Sequence, residues 1–154
     1  MSEIRSSLTA AMKEAMKAHE ETRLQTVRMV LAKIKEQDIE ARGKGNQDGI
    51  ADPEILSLMQ GMIKQRQESA RLYREGNRLE LAAREDEEIG IIESFLPAQL
   101  SEKEVEGAVA ALIAALGASG IKDMGKVMAE LKTKYAGQLD MAKAGALVRQ
   151  KLAG

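Results

Sequence analysis

Apolar residues recur every three or four positions along most of the chain, which is the spacing of one buried face on an α-helix. This pattern predicts a first helix from about Ser2 to His19. A second helix follows closely, with Thr22 and Gln25 as the capping box at its start. The two helices together predict an αα-hairpin. Their stripes are Ile4, Leu8 and Met12 in the first helix and Leu24, Val27, Leu31 and Ile34 in the second.

The periodicity then stops. The segment from Arg42 to Asp52 is rich in glycine and predicts a loop, and its glycines favour mobility. A third helix begins after the loop, with Asp52 as a plausible N-cap and Pro53 at the first helical position, where a missing N–H costs nothing. Gly76 is expected to take the left-handed position that ends this helix.

A fourth helix is predicted to begin with Asn77 as its cap and Glu80 three residues later. It stops near Pro97, because proline cannot continue a helix. The chain is therefore expected to divide there into a helical domain at residues 1–96 and a smaller domain at residues 97–154.

Three more helices are predicted in the smaller domain. Ser101 and Glu104 form a capping box at the start of the first of them. The last two helices echo one another, and each is expected to begin with an aspartate cap, Asp123 and Asp140 respectively. The predicted fold class is all-α, with about four helices followed by a three-helix bundle.

Composition supports this fold class and excludes several kinds of functional site. Only 2% of the residues are aromatic, the helix formers dominate, and the net charge is −1 with 31% charged residues, as on a surface of mixed sign. There is no cysteine, which excludes disulfides, thiolate nucleophiles and cysteine-based metal sites. No apolar stretch is long enough to span a bilayer, so we expect a cytoplasmic protein without a membrane partner.

No catalytic residue emerges from the sequence. The lone histidine, His19, is interpreted as part of a helix end rather than as a general base. The acidic run from Glu85 to Glu88 is interpreted as a solvated helix face, because it has no histidine or second acidic run to complete a metal site. The glycines near residue 45 follow no strand, so they do not form a nucleotide loop. We therefore predict neither a cofactor nor a metal ion.

The C-terminal segment from residue 121 to residue 154 is locally basic. It holds seven cations and three acidic residues, and cations near exposed glycines are a usual means of contacting a phosphate backbone. In the first half, ordinary surface pairing with nearby glutamates accounts for Arg66, Arg71 and Arg78. The C-terminal cations are Lys122, Lys126, Lys132, Lys134, Lys143, Arg149 and Lys151.

Several motifs, taken in order, resemble the YqeY-like proteins, whose C-terminal part is similar to the tail domain of the B subunit of the tRNA-dependent amidotransferase. The resemblance covers essentially the whole chain. In the first half it rests on Thr26-Val-Arg28-Met, Ile63-Lys-Gln-Arg66, Gly76-Asn-Arg78-Leu and Phe95-Leu-Pro97-Ala-Gln99. In the second half it rests on Met124-Gly-Lys126-Val-Met128, Gly137, Asp140 and Leu147-Val148.

The resemblance implies a link to tRNA, because the tail of the amidotransferase belongs to the subunit that engages mischarged tRNA. It implies Gly125, Lys126, Lys132 and Lys134 as tRNA-facing positions, and the shared charge of the last two helices adds Lys143, Arg149 and Lys151. Two positions depart from the family pattern. Ala129 stands where the family often has glycine, and Gln138 where it often has a basic residue.

Three functions follow as hypotheses. The leading one is a non-enzymatic helical adaptor that binds tRNA, or a tRNA-bound enzyme such as the amidotransferase. The second is an accessory or subunit of glutamine-dependent amide transfer, for which the sequence shows no active site. The third is a protein-interaction module that uses the apolar stripes of helices two to four.

Overall fold

The computed structural model describes residues 2–154, so residue 1 of the predicted N-terminal domain lies outside it. The prediction of an all-α fold is confirmed, because these residues form helices and no strand. Residues 2–154 contain seven α-helices and one short 3-10 turn, Ile121–Asp123. The α-helices are α1 (Glu3–Ala18), α2 (Glu21–Gly43), α3 (Asp52–Glu75), α4 (Leu79–Glu93), α5 (Glu102–Leu116), α6 (Met124–Lys134) and α7 (Met141–Ala153).

The chain consists of two compact units, Met1–Leu96 and Pro97–Gly154, called here the N-terminal unit and the C-terminal unit. In the N-terminal unit α1 packs along α2, and α3 packs along α4. The apolar stripes meet in one core, in which Leu8, Ile55 and Met59 are completely buried. The stripes of α2 to α4 therefore contribute to the core of this unit.

The C-terminal unit has a core of its own, formed by the inward faces of α5, α6 and α7. Val109, Val127, Leu131 and Val148 are completely buried there. Gly145 lies where α7 approaches α6, since a side chain at this position would touch the Met128 methyl group at 3.4 Å. A Cβ at Gly145 would therefore make an ordinary van der Waals contact, and the approach of the two helices does not require a glycine there.

Three helix starts agree with the local patterns in the sequence. Ser101 accepts a hydrogen bond from the Glu104 N–H at 3.1 Å, and Glu104 accepts one from the Ser101 N–H at 3.0 Å, which completes the capping box. The carboxylate of Asp140 caps α7 by accepting from the Ala142 N–H at 2.9 Å. The α1 cap is Ser2, whose hydroxyl accepts from the Arg5 N–H.

The predicted start of α2 is wrong. His19 adopts a left-handed conformation with φ of 57°, and the Glu20 N–H reaches back to the Ala15 carbonyl at 3.0 Å. This tight ending of α1 leads into α2 at once, so Thr22 lies inside the helix instead of capping it. The Thr22 carbonyl accepts from the hydroxyl of buried Thr26 at 2.7 Å.

Three further predictions, at the two ends of α3 and at the start of α4, are wrong by one residue each. Asn77, with φ of 56°, takes the left-handed position after α3 that we expected of Gly76, and so it does not cap α4. Asp52 is the first residue of α3 and Ala51 is the cap. Asp123 occupies the N-cap position of α6 as predicted, but its carboxylate accepts from the Ser119 N–H at 3.0 Å and makes no capping hydrogen bond to α6.

The loop between α2 and α3 is anchored by a partly buried ion pair that the sequence did not reveal. The guanidinium of Arg5 donates two hydrogen bonds to the carboxylate of Asp38, each at 2.8 Å. The same carboxylate accepts from the Ile50 N–H at 2.9 Å, and Arg5 donates to the Ile50 carbonyl at 2.9 Å. One residue of the loop is therefore fixed to both α1 and α2.

No α-helix among residues 2–154 is by itself both long and apolar enough to cross a membrane. The segments Glu102–Leu116 and Ile121–Lys134 reach the required length and composition only when taken as a pair, and that pair is bent by 98°.

The ion pair makes the stability of the N-terminal unit depend on pH. Hydrogen bonds from Arg5 lower the pKa of Asp38 from 3.8 to about 2, against the effect of burial. A depressed pKa stabilises the fold above the unfolded-state value, and this stabilisation is lost as the pH falls from about 4 to about 2. We expect Asp38→Asn to reduce the free energy of unfolding at pH 7 by about 3 kcal/mol. In this variant the free energy of unfolding should also fall less between about pH 4 and about pH 2.

Urea titrations followed by circular dichroism from pH 2 to pH 7 measure both effects. Asp48→Asn is the matched control, because Asp48 lies exposed in the same loop and is expected to leave the profile unchanged. If the free energy of unfolding fell equally steeply at acid pH in Asp38→Asn and in the original chain, the Arg5–Asp38 ion pair would not be the cause of the pH dependence.

Alanine substitutions at two glycines of the same loop distinguish the cost of backbone strain from the cost of a steric clash. Gly49 and Gly45 both have positive φ, 80° and 99°, so alanine is strained at either position. A Cβ at Gly49 would also collide with the Asp38 carboxylate, whereas the space around Gly45 is open. We expect Gly49→Ala to destabilise the protein by about 1–3 kcal/mol more than Gly45→Ala does, as measured by urea unfolding. Equal losses would mean that Gly49 does not pack against the ion pair.

Candidate nucleic-acid interface

The predicted RNA-facing residues all lie on the surface of α6 and α7. Each helix buries one apolar stripe, formed by Val127 and Leu131 in α6 and by Val148 and Leu152 in α7. The remaining faces are directed to solvent, which is why every one of the predicted positions is exposed. These positions are Gly125, Lys126, Lys132 and Lys134 on α6 and Lys143, Arg149 and Lys151 on α7.

The structure does not collect these cations on one helix face. Six residues separate Lys126 from Lys132, and at 3.6 residues per turn their side chains project about 120° apart. The same spacing and angle separate Lys143 from Arg149. The C-terminal unit therefore carries positive charge on several sides, and a single flat basic face is absent from α6.

In the N-terminal unit some cations are bound to carboxylates, such as Arg66 to Glu88 at 3.0 Å and Arg74 to Asp86 at 2.9 Å. In the C-terminal unit, within the part of the chain that the structure describes, none of the six predicted lysine and arginine side chains forms an ion pair. The Lys134 ammonium instead lies 5.8 Å from the centre of the Tyr135 ring.

Gly125 lies in the first turn of α6 beside Lys126. A side chain at this position would meet no protein atom within 4 Å, so packing within the chain does not require a glycine. The open surface next to a lysine is suited to close approach of another molecule's backbone.

The acidic run on α4 is only partly the solvated face that we predicted. Asp86 and Glu87 are exposed, but the Glu88 side chain is 15% exposed and pairs with Arg66 of α3. Burial raises the pKa of Glu85, and the nearby Glu88 carboxylate raises it further. Among residues 2–154, no three histidine or acidic side chains are arranged to hold a metal ion.

Arg66 was wrongly assigned to ordinary surface pairing. It is 8% exposed, its guanidinium bonds to Glu88 across the α3–α4 interface, and it also donates to the Met62 carbonyl at 3.2 Å. Arg71 does pair as expected with Glu68 and Glu75 on the surface of α3. Burial distinguishes the two arginines, and nothing in their local sequence does.

His19 lies at the end of α1, as predicted, and it is exposed. Its backbone N–H bonds to the carbonyls of Ala15 and Met16 and so ends the helix. The cap is made by the main chain.

Comparison with known proteins decides the family. A family model described as Yqey-like protein matches residues 5–152. The chain belongs to the YqeY-like family.

One relative in this comparison is the mitochondrial protein named altered inheritance of mitochondria protein 41, from Lachancea thermotolerans. It is 35% identical over 113 residues, which cover 71% of this chain and 58% of the relative. The chain thus matches little more than half of the relative's length. The name places the relative in mitochondria, while the cytoplasmic location of this chain stays a prediction.

Most residues that carry the YqeY-like resemblance have an architectural role. Thr26 bonds within α2, Arg66 joins α3 to α4, and Asn77 forms the turn between them. In the C-terminal unit the Gln99 amide donates to the Gly137 carbonyl at 2.6 Å, and Asp140 caps α7. Motif residues with such contacts need no ligand to account for them.

Gly125 and Lys126 differ from these residues. Both match the YqeY-like pattern, yet Lys126 is exposed and Gly125 has open space around it. Among the motif positions of the C-terminal unit, these two are the ones that packing and capping leave unexplained.

Proposed function

We propose that this YqeY-like protein is a helical adaptor that binds tRNA, or a tRNA-bound enzyme, through its C-terminal unit. The proposal is carried by one observation: the six predicted cations of α6 and α7 are all exposed and stand outside ion pairs in the described chain, whereas Arg66 and Arg74 of the N-terminal unit are bound to carboxylates. Cations without intramolecular partners can release counterions from a phosphate backbone, which is the main source of affinity for nucleic acids.

Gly125 and Lys126 are the proposed centre of the interface. The first turn of a helix offers a positive dipole end, and α6 has no side-chain cap on its N–H groups. A lysine and an open glycine at that end suit a phosphate group. Lys132 lies at the other end of α6 and on a different side, so it tests whether the contact extends over more than one face.

The arrangement favours shape-dependent contact with the RNA backbone. Cations that project in different directions cannot converge on one base, but they can touch separate phosphates of a folded RNA. An adaptor that recognises a bulky tRNA by its backbone needs no catalytic residue. The absence of a converging metal site in residues 2–154 is compatible with this role and does not itself support it.

Charge reversal at Lys126 tests the proposal. Binding of bulk tRNA, measured by filter retention from 50 to 200 mM salt, should weaken steeply with salt for the original chain. Lys126→Glu should lower the affinity and reduce the salt slope by about one or two, because one phosphate contact is replaced by a repulsion. Lys132→Glu should do the same if the contact covers both sides of α6, and should have little effect if Lys126 marks its centre.

Lys13→Glu is the matched control, since Lys13 is an exposed cation of α1 in the N-terminal unit and the net charge changes equally. An equal loss in Lys13→Glu and Lys126→Glu would show that binding depends on total charge alone. Negligible affinity of the original chain for tRNA at 50 mM salt would refute the proposal.

A further inference from the structure

A groove lies between α5 and α7 on the C-terminal unit, apart from Gly125 and Lys126. It encloses about 460 Å³, which is within the range of about 300–1,000 Å³ typical of binding pockets. Its apolar lining comes from Leu139, which is buried, and from three half-buried side chains. These three are Leu100, Val105 and Leu147.

The groove is held open by bonds between the segments that precede its two helices. The Leu100 N–H donates to the Gln138 carbonyl at 2.8 Å, and the Gln99 side chain donates to the Gly137 carbonyl at 2.6 Å. These bonds place the starts of α5 and α7 side by side. The apolar lining is therefore supported by the backbone, as a preformed binding site requires.

The two helix starts are closed to an anion. At α5 the capping box uses the Glu104 N–H, and at α7 Asp140 accepts from the N–H groups of Ala142 and Lys143. The α5 rim also carries the exposed carboxylates of Glu102 and Glu106, which would repel a phosphate. RNA is thus disfavoured here, in contrast to the first turn of α6.

We propose that this groove binds an amphipathic segment of a partner protein, with aliphatic side chains in the apolar lining and basic side chains over the α5 rim. Glu102 and Glu106 lie one helical turn apart, so they can face two cations on the same edge of a bound helix. Lys143 lines the α7 side of the groove, where its positive charge repels the basic edge of the bound helix and favours the less basic edge. Lys143 therefore sets the direction of the segment. The groove and the RNA-binding proposal share only Lys143, and their tests use different residues, Lys126 and Lys132 for RNA and Glu102 and Glu106 for the groove.

Two synthetic helical peptides with the same leucine face test this proposal on the full chain. One peptide carries lysines along one edge of that face, and the other carries glutamates at the same positions. In ¹⁵N-edited spectra the lysine peptide should shift the amide signals of Leu100, Val105 and Leu147, with an affinity about tenfold higher than that of the glutamate peptide.

Glu102→Lys combined with Glu106→Lys should reverse this preference. Glu130→Lys is the matched control, because Glu130 is an exposed carboxylate of α6 outside the groove and should leave the preference intact. All of these positions are exposed, so the variants should fold, which circular dichroism checks.

Several outcomes would overturn the inference. They are the absence of shifts at millimolar peptide, equal binding of both peptides, and shifts that map outside the groove. Sedimentation that shows a dimer, dissociated by Leu147→Glu, would make a second copy the occupant. Shifts of the groove signals by tRNA would show that an anion binds there after all.

Discussion

The arrangement of the N-terminal unit depends on the ion pair between Arg5 and Asp38. The Asp38 carboxylate of α2 accepts hydrogen bonds from Arg5 of α1 and from the Ile50 N–H of the loop that leads to α3. Arg5 also donates to the Ile50 carbonyl. A buried charge is costly unless it is paired and its remaining oxygen lone pairs are used, and both conditions hold here. The apolar stripes supply most of the driving force for packing, whereas this pair fixes the relative position of the elements.

The fold class could be predicted because helix periodicity is a property of neighbouring residues. The capping box of Ser101 and Glu104 is equally local, and it was found for that reason. The α2 start was missed because His19, a non-glycine residue, took the left-handed conformation that ends α1. Where an asparagine or a histidine replaces the expected glycine, composition does not indicate the turn.

Contacts between residues distant in sequence could not be predicted. Arg5 and Asp38 are 33 positions apart, and Arg66 and Glu88 are 22 apart. In neither case does the local sequence of the arginine indicate its partner. For the candidate interface, the sequence predicted which residues are charged, but it could not show that the cations of α6 project in different directions. The groove between α5 and α7 escaped detection because its lining comes from both helices and from the segments that precede them.

The loop between α2 and α3 has one fixed end and one permissive end. At one end the Ile50 N–H is bonded to the Asp38 carboxylate and a Cβ at Gly49 would collide with it, whereas Gly43 and Gly45 face open space. Extra residues near Gly45 would lengthen the loop without reaching the anchor, at a small entropic cost. The chain can therefore accept an inserted label or domain at this place, and the ion pair would keep α3 in position. Length variation in this loop is the kind of change that the architecture tolerates.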